Sequence, residues 1–142
     1  MKINGRLSIG ELSKETGVKV VTIRYYEQIK LMPSPLRTEG NYRAYHREHL
    51  HRLQFIRRCR DLGFTLDQLR DLLHLSTQAG LKCAGVDRIT DDHLKEIERK
   101  IADLQRLAGE LRRIKRRCSG NGVIADCRIL EALSPPTLLT KQ

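Results

Sequence analysis

Apolar residues recur every seven positions from about Thr90 to Cys118. Ile97, Leu104, Leu111 and Cys118 form one row, and Leu94, Ile101 and Ala108 form a second row offset by three. That a/d spacing predicts one long helix carrying a narrow apolar seam. Two acids after Thr90 suit the positive end of such a helix, and Arg112, Arg113, Lys115, Arg116 and Arg117 suit its negative end. Gly109 costs about 1 kcal/mol relative to Ala in a helix interior, so it marks a place for close backbone approach. A stripe this narrow cannot be buried against its own helix. The pattern demands a second one.

Shorter periodic stretches precede it. Ser8 followed by Glu11 is a capping-box pattern that opens a helix through about Thr16, and Gly17-Val18 supplies a turn. A second helix is expected from about Val20 to Gln28. Two short helices joined by a glycine turn form a helix-turn-helix, whose second helix enters the major groove. Lys19, Thr22, Arg24 and Tyr25 are its candidates for reaching bases or phosphates. The next segment carries two prolines and a Gly-Asn pair, and reads as a short hairpin or wing. Arg37, Asn41, Tyr42, Arg43 and Tyr45 are expected there along the nucleic-acid backbone.

Residues 46–62 read as a basic helix with Leu50, Leu53 and Ile56 on one face, ended by Gly63. Thr65 and Gln68 open another helix through about Leu75, offering Leu66, Leu69, Leu72 and Leu73 to a core. A polar hinge then leads to Cys83. Beyond Cys118 a glycine-containing loop runs to Cys127, followed by a short apolar helix that Pro135-Pro136 stop. The last residues are expected to fray. The expected division is a winged helix-turn-helix domain with connector helices over 1–75, a hinge over 76–90, a dimerisation helix over 91–118, and a metal-binding loop with a short helix over 119–142.

Composition narrows the partners. The chain of 142 residues is 39% hydrophobic and 31% charged, with a formal net charge of +10, which favours an anionic partner and above all double-stranded DNA. No apolar run approaches the length of a membrane span and no signal-peptide pattern is present, so a cytoplasmic protein that binds no membrane is expected. Glycine-rich phosphate loops, paired catalytic carboxylates and Ser/His/Asp patterns are missing, which argues against an enzyme.

Four cysteines in a reducing compartment remain thiols. Cys59, on the basic helix, reads as a small buried hydrophobe. The other three bracket the long helix. At 1.5 Å per residue that helix is roughly 40 Å long, so Cys83 and Cys118 of one chain cannot share a site. Antiparallel pairing of two copies would set Cys83 of one against the partner subunit's Cys118 and the partner subunit's Cys127, twice per dimer.

Taken together, IGELSKETGV, VTIRYYE, GNYRAY, RLQFIRRCRDLGFTLDQLRDLL and the Cys83, Cys118-x8-Cys127 pattern resemble the MerR family of transcriptional regulators over about residues 7–133. The resemblance implies a mainly α fold: a winged helix-turn-helix DNA-binding domain plus a long dimerisation helix forming an antiparallel coiled coil in a homodimer. It implies a metal-responsive regulator seated on an overlong promoter spacer. The metal-free form would repress, and the metal-bound form would twist and kink the DNA so that RNA polymerase engages both promoter elements, a distortion of a few kcal/mol. One departure is Lys30, where the family commonly has Gly at the helix exit. Lysine is strained in a left-handed conformation, so a different turn is expected there.

The same resemblance bears on the effector. Copper- and silver-sensing relatives hold two cysteines in a tighter loop with Ser at the position of Cys83. Zinc-sensing relatives carry an extra Cys and a loop His, where this chain has Arg117 and Gly122. Redox-sensing relatives hold an iron–sulfur cluster on four clustered cysteines, and drug-sensing relatives use aromatic pockets. Three thiolates suit Hg(II) or Pb(II), with Cd(II) also compatible, whereas Zn(II) would want a fourth ligand such as Asp126 or His93. A thiol-redox sensor with a cross-subunit disulfide, a zinc sensor of the same family, and an architectural DNA-binding protein with structural cysteines remain alternatives.

Overall fold

Residues 5–135 are described by the computed structural model. In chain order they form α1 (Ile9–Thr16), α2 (Val20–Gln28), β1 (Leu36–Arg37), β2 (Arg43–Ala44), α3 (Arg47–Asp61), α4 (Leu66–Ser76), α5 (Ala84–Lys115), a 3-10 turn (Ile124–Asp126) and α6 (Arg128–Leu133). The chain divides into two units, Met1–Ile89 and Thr90–Gln142. The expected fraying of the last residues falls on 136–142, outside the described residues.

In the first unit the ends of the helices are set by local chemistry. Ser8 accepts from the Glu11 N–H at 3.1 Å while Glu11 accepts from the Ser8 N–H at 3.1 Å, and Thr65 and Gln68 repeat the arrangement at 3.1 and 2.9 Å. Gly63 leaves α3 with φ 85°, its N–H bonding the Arg60 carbonyl while the Phe64 N–H bonds that of Cys59. That pair of bonds is a Schellman stop.

Lys30 makes the same stop after α2. Its φ is 62°, its N–H bonds the Glu27 carbonyl at 3.1 Å, and the Leu31 N–H bonds that of Tyr26 at 2.8 Å. The expectation of a different turn at Lys30 is therefore corrected. Leu31 and Met32, each 1% exposed, anchor the chain just beyond it. Their burial outweighs the roughly 1–2 kcal/mol that a side chain loses in the left-handed region.

The core gathers Leu12 and Val18 from the first helix and turn, Ile23 and Tyr26 from α2, Leu53, Ile56 and Cys59 from α3, and Leu69, Leu72 and Leu73 from α4. Cys59 is 7% exposed, as expected of a small core residue, and burial pushes its thiol up. Several arginines of this basic unit are structural. Arg57 donates to the Thr16 carbonyl at 2.7 Å, Arg52 to that of Leu31 at 2.8 Å, and Arg70 to that of Ile29 at 2.6 Å. Each satisfies a carbonyl at or just beyond a helix C-terminus.

The second unit is dominated by α5, which extends into it from the first. No residue of this 32-residue helix is buried. Leu94, Ile101, Leu104 and Leu111 are 49–65% exposed along the seam. On the opposite face Glu96–Arg99, Asp103–Arg106 and Glu110–Arg113 form ion pairs, repeating every seven residues. Each adds a few tenths of a kcal/mol to the helix and leaves the seam clear.

Two boundaries differ from expectation. The long helix begins at Ala84 instead of about Thr90, because the Cys83 carbonyl already accepts the Asp87 N–H at 2.9 Å. It ends at Lys115, three residues before Cys118. The Arg117 and Cys118 N–H groups reach back only three residues, to Ile114 and Lys115 at 3.1 Å, tightening the last turn.

Candidate nucleic-acid interface and metal centre

The helix-turn-helix rests on one glycine. Gly17 has φ 72°, and a Cβ built there would lie 1.9 Å from Arg57 Nη1. Only glycine permits both the left-handed turn and the approach of the arginine that binds the end of α1. Val20 then starts α2 with Ile23 and Tyr26 facing the core. The helical period puts the remaining residues outward. Lys19 and Arg24 are exposed, Tyr25 is 47% exposed, and Thr22 is half-buried. Val21 joins this face at 75% exposure. Its place three and four residues before Arg24 and Tyr25 is the sequence signal for this, and a branched methyl pair suits a thymine methyl.

The wing is a two-residue antiparallel ladder, with Leu36 opposite Ala44 and Arg37 opposite Arg43. Its tip is held by the Thr38 N–H on the Tyr42 carbonyl at 2.9 Å, and by Thr38 Oγ1 accepting from the Tyr42 N–H at 3.2 Å. Asn41 supplies the left-handed residue with φ 63°, and its carbonyl accepts from Arg37 Nη1 at 3.1 Å. Tyr42 projects at 75% exposure, and Arg37 and Asn41 are exposed.

Tyr45 stands apart from this set. It is 0% exposed, so its expected place along a nucleic-acid backbone is corrected to an interior one. Its hydroxyl donates to Glu27, and its backbone pairs with Leu7 through two bonds of 2.8 Å. Arg43 is half-buried, with Nε 3.5 Å from Glu27 Oε2.

The cysteines divide between the units. Cys83 is an exposed free thiol immediately before α5. Cys118 and Cys127 are free, half-buried, and line one concavity of about 270 Å³ with Arg117, Gly122 and Asp126. The loop between them is closed by short local bonds. The Gly120 N–H points at Cys118 Sγ at 3.4 Å, and the Cys127 N–H bonds the Ile124 carbonyl at 3.0 Å. Among the described residues of one chain, no three His, Cys, Asp or Glu side chains are grouped to hold a metal. Two thiols in one concavity fit a soft cation as part of its ligand set. His93 is half-buried on α5, and Asp126 is exposed beside Cys127.

Comparison with known proteins agrees with this geometry. Residues 7–76 match the model of the MerR HTH family regulatory proteins, and residues 50–114 match that described as MerR, DNA binding. The chain is similar to the mercuric resistance operon regulatory protein of Bacillus cereus, with 41% identity over 128 residues, 90% of this chain and 97% of that one. It is equally similar to the HTH-type transcriptional regulator ZntR of Escherichia coli, with 41% identity over 127 residues, 88% of this chain and 90% of that one. Among solved structures, a transcription regulator from Ralstonia metallidurans in complex with lead(II) matches with a TM-score of 0.80 and 41% identity. That match covers 90% of this chain and 99% of the other.

Proposed function

The chain belongs to the MerR family and is a metal-responsive, DNA-binding transcriptional regulator, not an enzyme, and we propose that its effector is Hg(II) or Pb(II) held by three thiolates from two subunits. Regulators of this family bind promoter DNA as dimers. The observation that carries the proposal is the concavity shared by Cys118 and Cys127 at the end of a helix whose seam is left uncovered by the described residues.

Charge selects the orientation of the pairing. The first turns of α5 carry Asp87, Asp91 and Asp92 against Arg88, whereas the end of the helix and the turn after it carry Arg112, Arg113, Lys115, Arg116 and Arg117 against Glu110. Parallel pairing would set like charges together, and antiparallel pairing sets them in opposition. Matching the a and d rows then places Leu94 against the partner subunit's Leu111, Ile97 against the partner subunit's Ala108, and Ile101 against the partner subunit's Leu104. Continued in register, Cys83 falls opposite residue 122 of the partner subunit, in the middle of the loop between the other two cysteines. That register supports a site completed across the dimer.

A bound soft cation would supply three metal–thiolate bonds joining the subunits. The chain's own residues do the rest. Cys118, Cys127 and the partner subunit's Cys83 would each give up a proton on binding, which makes binding weaker as pH falls. The Gly120 and Gly122 loop gains a fixed shape, and the two DNA-reading units shift relative to each other so that the promoter spacer is distorted for RNA polymerase. Cd(II) fits the same donors, and Zn(II) would need a fourth ligand from Asp126 or His93. No helix among the described residues is long and apolar enough to cross a membrane, and a cytoplasmic site of action is part of this proposal.

The test is transcription from the protein's own promoter under reducing conditions with Hg(II), Pb(II), Cd(II), Zn(II) and Cu(I). Cys83→Ser, Cys118→Ser and Cys127→Ser should each abolish induction and keep operator binding. Full induction of the Cys83→Ser protein would remove the cross-subunit site, and induction by oxidant in place of metal would favour the thiol-redox reading.

A further inference from the structure

Glu27 is the penultimate residue of α2, yet its side chain is only 8% exposed. Both of its oxygens are engaged from beyond the wing tip. The Tyr45 hydroxyl donates to Oε1, and Arg43 Nε lies 3.5 Å from Oε2. That Nε is itself buried and has no hydrogen-bond partner among the described residues, so the carboxylate is what balances its charge. A buried N–H left without such a partner carries the full desolvation penalty of that group.

Tyr45 is fixed on its other sides as well. Its N–H and carbonyl both pair with Leu7, and its ring meets that of His49 edge-on with centroids 5.4 Å apart. His49 is buried, accepts the His46 N–H on Nδ1 at 3.0 Å, and is held below its ordinary pKa by burial. Burial first, and then the bond to Glu27, hold the Tyr45 hydroxyl far above its ordinary value, so it remains a donor. Arg24 and Arg43 both act electrostatically on that hydroxyl, opposing the effect of burial.

We propose that Glu27 is a positioning residue that locks the wing to the recognition helix, so that Arg24 and Arg43 meet the duplex as one rigid unit. This rests on the reading of α2 and the wing as the DNA-binding elements. A loose wing would still find phosphates, because phosphate contacts are alike everywhere along a duplex. It would lose the fixed angle that a particular operator rewards.

Two variants of the full chain separate this role from general stability. Glu27→Gln keeps an acceptor for Tyr45 and removes the charge beside Arg43. Tyr45→Phe keeps the buried ring and removes only the hydroxyl. Operator affinity should fall about tenfold in each, the size of one charge-assisted hydrogen bond. Affinity for non-operator duplex should stay within about twofold, since that binding draws on the same cations without a set angle. Amide relaxation of residues 37–43 in the free protein should show increased wing motion in both variants.

Unchanged wing motion in both variants would overturn the proposal, as would operator and non-operator affinity falling together. If the parent protein bound no duplex at all, the DNA-binding reading would fail, and the relaxation arm would still decide whether Glu27 locks the wing. Tyr45→Phe decides the matter if Glu27→Gln does not fold.

Discussion

Leu104 stands in the middle of the α5 seam, one heptad from Ile97 and from Leu111, and is 65% exposed in the single chain. Leu104→Ala should therefore weaken the dimer and leave the DNA-reading unit intact. Burying a leucine completely contributes about 1.5–3 kcal/mol. With about two-thirds of the side chain left for a second helix to cover, each copy offers about 1–2 kcal/mol, and two copies offer about 2–4 kcal/mol per dimer. At about 1.4 kcal/mol per tenfold, the dimer dissociation constant should rise about 30- to 1,000-fold, toward the lower end because alanine keeps its Cβ. Sedimentation equilibrium under reducing conditions reads this directly. Arg99→Ala is the control, because Arg99 pairs with Glu96 on the opposite face. A dimer seam along this face of α5 is refuted if Leu104→Ala dissociates like the parent protein, or if Arg99→Ala has the larger effect.

Two further outcomes follow from the first unit. Lys19, Arg24, Arg37 and Arg43 offer four cations per protomer and eight per dimer, so a plot of log operator affinity against log salt should have a slope of about −7, measured by fluorescence anisotropy. A slope near zero would remove them from the interface. Gly17→Ala should cost about 2–4 kcal/mol in urea unfolding, combining left-handed strain with displacement of Arg57 from the Thr16 carbonyl. An unchanged midpoint would show that the turn relaxes freely.

Legibility in the sequence followed the range over which each signal acts. The capping boxes at Ser8 and Thr65 read correctly because both partners lie within three residues. The glycine stops at 17 and 63 read correctly because a positive φ is a local demand. Lys30 could not be read this way, because its left-handed turn is imposed by the burial of Leu31 and Met32 beyond it. Tyr45 looked like its exposed neighbour Tyr42. Two-residue strands are too short for alternation to reveal a buried face, and the partner of the Tyr45 hydroxyl, Glu27, lies 18 residues away. The helix start at Ala84 was hidden because it lacks a Ser, Thr, Asp or Asn cap in front of it. The heptad rows needed only local spacing, and the exposed α5 seam has the period they gave.

The most direct measurement of the cross-subunit site uses two defective proteins. One carries Cys83→Ser and keeps Cys118 and Cys127; the other carries Cys118→Ser with Cys127→Ser and keeps Cys83. Each alone, titrated with Pb(II), should lack the charge-transfer absorbance of a three-sulfur site. Unfolded together and refolded as a mixture, they should regain it at one ion per heterodimer, because one of the two shared sites is again complete. Absorbance retained by the Cys83→Ser homodimer, or none in the refolded mixture, would contradict three thiolates drawn from two subunits.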